Sequence, residues 1–187
     1  MLSRYLTTCL SVIAALFLFT ACTGITQKQL DLDPVFTETE KINNFVSLER
    51  SEFFQLKEAY VTTRETPHLD RMSELMELIR EELERAEYFQ QNYRYYHKGI
   101  DYERWKSAGN TYGLCRKTLC EMMLDIGELQ MLYADRETAA ALFEAVVSEF
   151  EGEDFSGYVS RARHFLQEIK EARLYVSSKN PALQEVH

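Results

Sequence analysis

From Phe36 onward, apolar residues return every three or four positions, the repeat that lines one face of an α-helix. Ile42, Phe45, Val46, Phe53, Leu56 and Tyr60 form the first stripe, interrupted by Glu49, and predict a helix ending near Val61-Thr62-Thr63. Thr66-Pro67 then supplies an N-cap followed by the proline favoured at a first helical position. The second stripe, Met72, Met76, Ile79, Leu83, Ala86 and, after the polar Gln90, Tyr93, is stricter. Opposite it stand Asp70, Glu74, Glu77, Glu81, Glu82, Glu84 and Glu87, with Arg71, Arg80 and Arg85 among them, which reads as a solvated face. Glu81 and Arg85 are a favourable pair four residues apart on it.

A break is predicted at His97-Lys98-Gly99-Ile100, with Asp101 capping a third helix. Trp105, Ala108, Tyr112, Cys115, Leu119, Met122, Ile126, Leu129 and Tyr133 give that helix the longest regular stripe in the chain. Gly109 and Gly113 each cost about 1 kcal/mol against alanine there, so they read as points where a neighbouring helix comes close. Asp135 caps a fourth helix that turns Ala139, Leu142, Phe143, Val146 and Phe150 inward. After a turn at Glu151-Gly152-Glu153-Asp154, a fifth runs from about Ser156 to Tyr175 and buries Tyr158, Ala162, Phe165, Leu166 and Ile169. Seven glycines and three prolines are too few for a sandwich or barrel. The predicted fold is therefore all-α: about five helices in antiparallel hairpins over residues 36–175, with a tether over 22–35 and a flexible tail over 176–187.

Charge narrows the choice of partners. The 187-residue chain carries 21 basic and 30 acidic side chains, a net charge of −9, which disfavours nucleic acids and anionic headgroups alike. Cys115 and Cys120, five residues apart on one continuous helix, have α-carbons about 8 to 9 Å apart, beyond disulfide reach, and read as reduced core residues. Their spacing is wrong for a metal, and no histidine lies near them in sequence. Neither a metal site nor a cofactor is expected. No His-Glu-x-x-His, Gly-x-Ser-x-Gly or phosphate-loop sequence occurs, so no catalytic residue is assigned and the chain does not read as an enzyme.

The first two dozen residues carry the one specific signal. Arg4 precedes an apolar run from Leu10 to Phe19, and Thr20-Ala21 place small residues just before Cys22. Leu18-Phe19-Thr20-Ala21-Cys22 resembles the lipobox of bacterial lipoproteins, with Phe19 where leucine is usual. The resemblance implies that residues 1–21 are a signal peptide and that Cys22 is acylated as the new amino terminus. It also implies that the partner on this side is a membrane, reached through lipid. An uncleaved membrane anchor is the alternative, since no charge occurs from Tyr5 through Gln27, enough to span a core of about 30 Å. A cysteine at the very end of the apolar run favours the lipoprotein. Thr23 is not the aspartate that retains such proteins at the inner membrane of enteric bacteria, which points to an outer membrane and a body facing the periplasm. Cleavage leaves 166 residues with 20 basic and 30 acidic side chains, a net charge of −10.

The carboxy-terminal third resembles the tetratricopeptide repeat. Ile126-Gly127 matches the hydrophobe and glycine of the repeat's first helix, and Ala139 with Phe143 the small residue and aromatic of its second. Met123 stands where tryptophan is usual, Gln130 where tyrosine is, and Glu151 near the expected proline. The match covers about residues 123–175, and it implies protein binding without chemistry. A partner surface is suggested by the aromatic-dense stretch that includes Tyr88, Tyr95, Tyr96 and Tyr102, with Arg94 and Arg104 nearby, a composition common at interface hot spots. The function expected is thus a lipid-anchored, periplasm-facing helical adaptor or assembly protein. The alternative is a lipid-tethered bundle that holds a hydrophobic small molecule in an apolar pocket beside Trp105 and Tyr112.

Overall fold

The computed structural model describes residues 33–92 and 99–179, with side chains placed as far as Arg173. Among these residues there are five α-helices, one short 3-10 turn and no strand. Helix α1 spans Pro34–Thr63, α2 Thr66–Asn92, α3 Gly99–Tyr133, α4 Arg136–Glu149 and α5 Ser156–Lys179, with the 3-10 turn at Glu153–Phe155. The predicted all-α architecture of sequential antiparallel hairpins is the one observed.

Local chemistry explains where the helices start and stop. Asp33 sits in extended backbone and its carboxylate accepts from the Val35 amide at 3.0 Å, so Pro34 takes the first helical position, where its missing N–H costs nothing. The helix therefore begins two residues before Phe36, and the folded body takes in Pro34 and Val35 from the predicted tether. Arg64 closes α1 in the left-handed conformation at φ 61°, its amide donating to the Tyr60 carbonyl at 2.9 Å. Asp135 caps α4 by accepting from the Glu137 and Thr138 amides at 3.0 and 3.1 Å. Asp101 does not cap α3, which already starts at Gly99; it pairs instead with Arg104 one turn on. At the other end α5 runs on to Lys179, four residues beyond the predicted end and into the segment read as tail.

Helix α3 is the axle. It runs parallel to α1, as Thr39 on Ser107, Arg50 on Glu121 and Lys57 on Asp125 show, and antiparallel to α2, which packs against both. Its carboxy-terminal half packs on α4 and α5 as well. From Thr118 to Gly127 every residue except Glu121 is buried, as expected of a helix with neighbours all round. Beyond the inward stripe and Cys120, the structure adds Thr111, Thr118, Met123, Leu124, Asp125 and Gly127 to the interior. Glu121 ties three helices together, accepting from Arg50 of α1 and from the Tyr158 hydroxyl of α5, each at 2.9 Å.

The glycines divide in an unpredicted way. Gly109 and Gly113 admit no close neighbour: a β-carbon at either would meet nothing within 4 Å. Gly127 is the one that does, with Phe143 Cε1 only 2.6 Å from where its β-carbon would lie. The Phe143 ring fills that notch and stacks on Phe165 of α5 at a centroid distance of 4.9 Å.

Candidate functional surfaces

Of the residues singled out in the sequence, Cys22, Arg94, Tyr95 and Tyr96 lie outside the described residues. Tyr88, Tyr102 and Arg104 lie within them, and the structure treats them differently. Tyr88 is two-thirds exposed in the last turns of α2, edge-on to Phe89 at 5.9 Å. Tyr102 is 37 % exposed near the start of α3, its ring 5.7 Å from that of Trp105, which is equally exposed. Arg104, by contrast, is committed internally. Its Nε donates to the buried Asp33 carboxylate at 2.9 Å and its Nη1 to Asp101 at 2.8 Å, and the hydrogen bond to Asp33 is the main cause of a guanidinium pKa above its ordinary value. Arg104 thus locks the start of α3 to the cap of α1, with its side chain 28 % exposed.

That lock places the aromatics. Arg85 of α2 reaches Glu38 of α1 at 3.3 Å, so the end of α2, the start of α1 and the start of α3 meet at one end of the bundle. Arg85 also takes Glu82, not the predicted Glu81, as its partner on α2, at 2.7 Å. Tyr88 in the last turns of α2 and the Tyr102–Trp105 pair in the first turns of α3 lie at this end, where Asp33 begins the folded body. An open cavity of about 450 Å³ lies there, lined by Glu87, Gln90, Gln91 and Trp105. Three polar side chains and one indole are not the apolar lining that a hydrophobic ligand requires. Tyr112 is absent from that lining and lies beside the Arg116 guanidinium at 5.7 Å.

The opposite end carries a second exposed apolar group that the sequence did not reveal. Val61 in the last turn of α1 and Leu132 and Tyr133 in the last turn of α3 are 42, 61 and 46 % exposed. Tyr60 and Tyr133 meet edge-on at 6.4 Å, and the Arg64 guanidinium covers the Tyr133 ring at 3.4 Å, a cation–π contact that fixes both loops. Leu132 is off the stripe formed by Ile126, Leu129 and Tyr133, the one sign in the sequence that it points outward.

A polar seam runs between α1 and α3. The Thr39 and Ser107 hydroxyls are 2.9 Å apart, and Lys57 pairs with the buried Asp125 at 2.8 Å. Between these levels Glu49, which seemed to interrupt the apolar stripe, is buried within it, and its Oε2 has no protein hydrogen-bond partner. Cys115 and Cys120 are free and fully buried on an unbroken α3, and burial pushes each thiol up to about 12. Among the described residues no group of three His, Cys, Asp or Glu side chains is placed to hold a metal ion, and no helix is long and apolar enough to cross a membrane. No protein-family model, curated protein or solved structure matches the chain significantly.

Proposed function

We propose that this chain is a bacterial lipoprotein, held to the envelope by acyl groups on Cys22 and acting as a non-enzymatic adaptor whose helical body binds a protein partner in the periplasm. Several acyl chains at about 0.8 kcal/mol per buried methylene hold a protein to a bilayer without help from its folded part. The observation that carries the adaptor reading is the exposed apolar group Val61, Leu132 and Tyr133 at the end of the bundle remote from Asp33. Helix α1 has 30 residues, so this patch stands about 45 Å from the end nearest Cys22, turned toward whatever lies away from the lipid. The fit of Phe143 over Gly127 supports the resemblance to a protein-binding repeat, since it places the pattern's glycine and aromatic in contact.

Two measurements test the proposal. Mass spectrometry of the protein made with its own leader is expected to show residues 1–21 gone and acyl mass on Cys22; a retained leader refutes the anchor. Affinity capture from envelope extracts is then repeated with V61S/L132S. The double variant is expected to lose its partner while keeping its helical circular dichroism, and unchanged capture refutes this surface.

A further inference from the structure

On the lipid-anchored reading, we infer that the near end of the bundle, through Tyr88, Tyr102 and Trp105, rests on the headgroup region of a zwitterionic bilayer. The Asp33–Arg104 pair fixes the start of the body one residue from Trp105 and two from Tyr102 in position along α3. Ten residues, 23–32, separate Cys22 from Asp33, and these eleven steps span at most about 40 Å. The bundle is longer than that along α1, about 45 Å, so it cannot stand inverted with its far end on the lipid. The flank formed by α2 is no substitute, because its outer face exposes Asp70, Glu74, Glu77, Glu81, Glu84 and Glu87. Among the described residues the near end alone combines exposed tyrosines with the exposed tryptophan, side chains whose apolar rings and polar tips suit the boundary between headgroups and acyl chains. A short connection raises the effective concentration of that end at the surface to the order of millimolar, so a contact too weak to recruit a free protein is populated. At this end the exposed Glu81, Glu84 and Glu87 outnumber the exposed cations Arg85 and Lys106, which makes an anionic surface the wrong one, and the inference therefore commits to a zwitterionic lipid.

Trp105 is the only tryptophan in the chain, so its fluorescence reports this end directly. The acylated protein, made with its own leader, is reconstituted into phosphatidylcholine vesicles and compared with the unacylated body of a Cys22→Ala variant in solution. Trp105 emission is expected to shift to shorter wavelength and its acrylamide quenching constant to fall at least twofold. Lipids brominated near the headgroup are expected to quench it more than lipids brominated near the chain end. Replacing a third of the lipid by phosphatidylglycerol, or introducing Tyr88→Ser with Tyr102→Ser, is expected to reverse at least half of the protection. Acylated protein whose Trp105 is as accessible as in the free body overturns this inference and leaves the anchor intact; absence of acyl mass on Cys22 overturns both. Protection found in native envelopes but not in pure lipid vesicles also overturns it, in favour of a protein seated on the aromatic end.

Discussion

Replacing Gly127 by alanine would put a methyl carbon 2.6 Å from Cε1 and 2.9 Å from Cζ of Phe143, separations that no packed carbon pair tolerates. Something has to move, and the ring has little freedom: Phe143 is fully buried and stacked on Phe165 at 4.9 Å. Overpacking of this kind costs about 1 to 3 kcal/mol. Against it stands the gain of about 0.8 to 1.0 kcal/mol from removing a glycine inside a helix. Gly113→Ala on the same helix provides the internal control, because its β-carbon meets nothing within 4 Å and it should collect the helical gain alone. The difference between the two variants therefore isolates the contact with Phe143, and it is predicted at about 1 to 3 kcal/mol. Thermal unfolding resolves this easily, at about 2 to 4 °C per kcal/mol for a domain of this size. A cycle with Phe143→Leu sharpens the test: the alanine should cost less beside the smaller leucine, with a coupling of about 0.5 kcal/mol or more. If Gly127→Ala and Gly113→Ala raise the melting temperature equally, or if the cycle is additive, the account of the α3–α4–α5 junction is wrong.

Three further outcomes follow from the interior and the caps. Glu49→Leu removes a buried carboxylate with an unpartnered oxygen from an otherwise apolar stripe and should stabilise the body by about 1 to 3 kcal/mol in urea unfolding; destabilisation would mean that the acid has a partner in solution. Cys115 and Cys120, with thiols pushed up to about 12 by burial, should resist a thiol-reactive dye at pH 8 in the native body and react fully in denaturant; fast native labelling would refute the packed α3. The Asp135 carboxyl is held below its ordinary value of 3.8, first by the Thr138 hydroxyl and then by the Glu137 and Thr138 amides. A depressed folded-state value means that the cap's contribution is complete above the unfolded value and disappears as pH falls through the folded one. Amide exchange in the first turn of α4 should therefore quicken in acid below about pH 3.8, and Asp135→Asn should flatten that dependence.

Most of the architecture is legible in the sequence because helices with one buried face leave a three-four rhythm that sequence preserves. Caps at Asp135 and a stop at Thr63 are equally readable, being chemistry within a few residues. What escaped was set by neighbours distant in the chain. A stripe describes a helix with one partner, whereas α3 has four, so Met123, Leu124 and Asp125 are buried although they lie off the predicted face. Helical periodicity treats Gly109, Gly113 and Gly127 alike; the repeat resemblance alone sets Gly127 apart in the sequence, and the position of Phe143 sixteen residues later makes it the notch. The ion pair that holds Arg104 is invisible in the sequence because its partner, Asp33, is at the other end of the interval that α1 and α2 fill.

The polar seam between α1 and α3 bears on why these two helices are parallel in a defined register. An apolar interface between long helices can slide by a turn at modest cost, since one apolar stripe resembles itself after seven residues. Thr39 against Ser107 and Lys57 against Asp125 cannot slide together: each moved by a turn would leave buried hydroxyls or a buried carboxylate without its partner. Both pairs have the same offset along the two helices, so a single register satisfies them at once. Arg104 on Asp33 at one end and Tyr133 against Tyr60 at the other then act as stops about eight turns apart. The register in turn decides what is exposed, because the same alignment that brings Trp105 level with the start of the body leaves Leu132 standing at its far end. The two surfaces on which function is proposed are thus consequences of one choice of helix alignment, made by side chains that the hydrophobic pattern alone would have excluded from the interior.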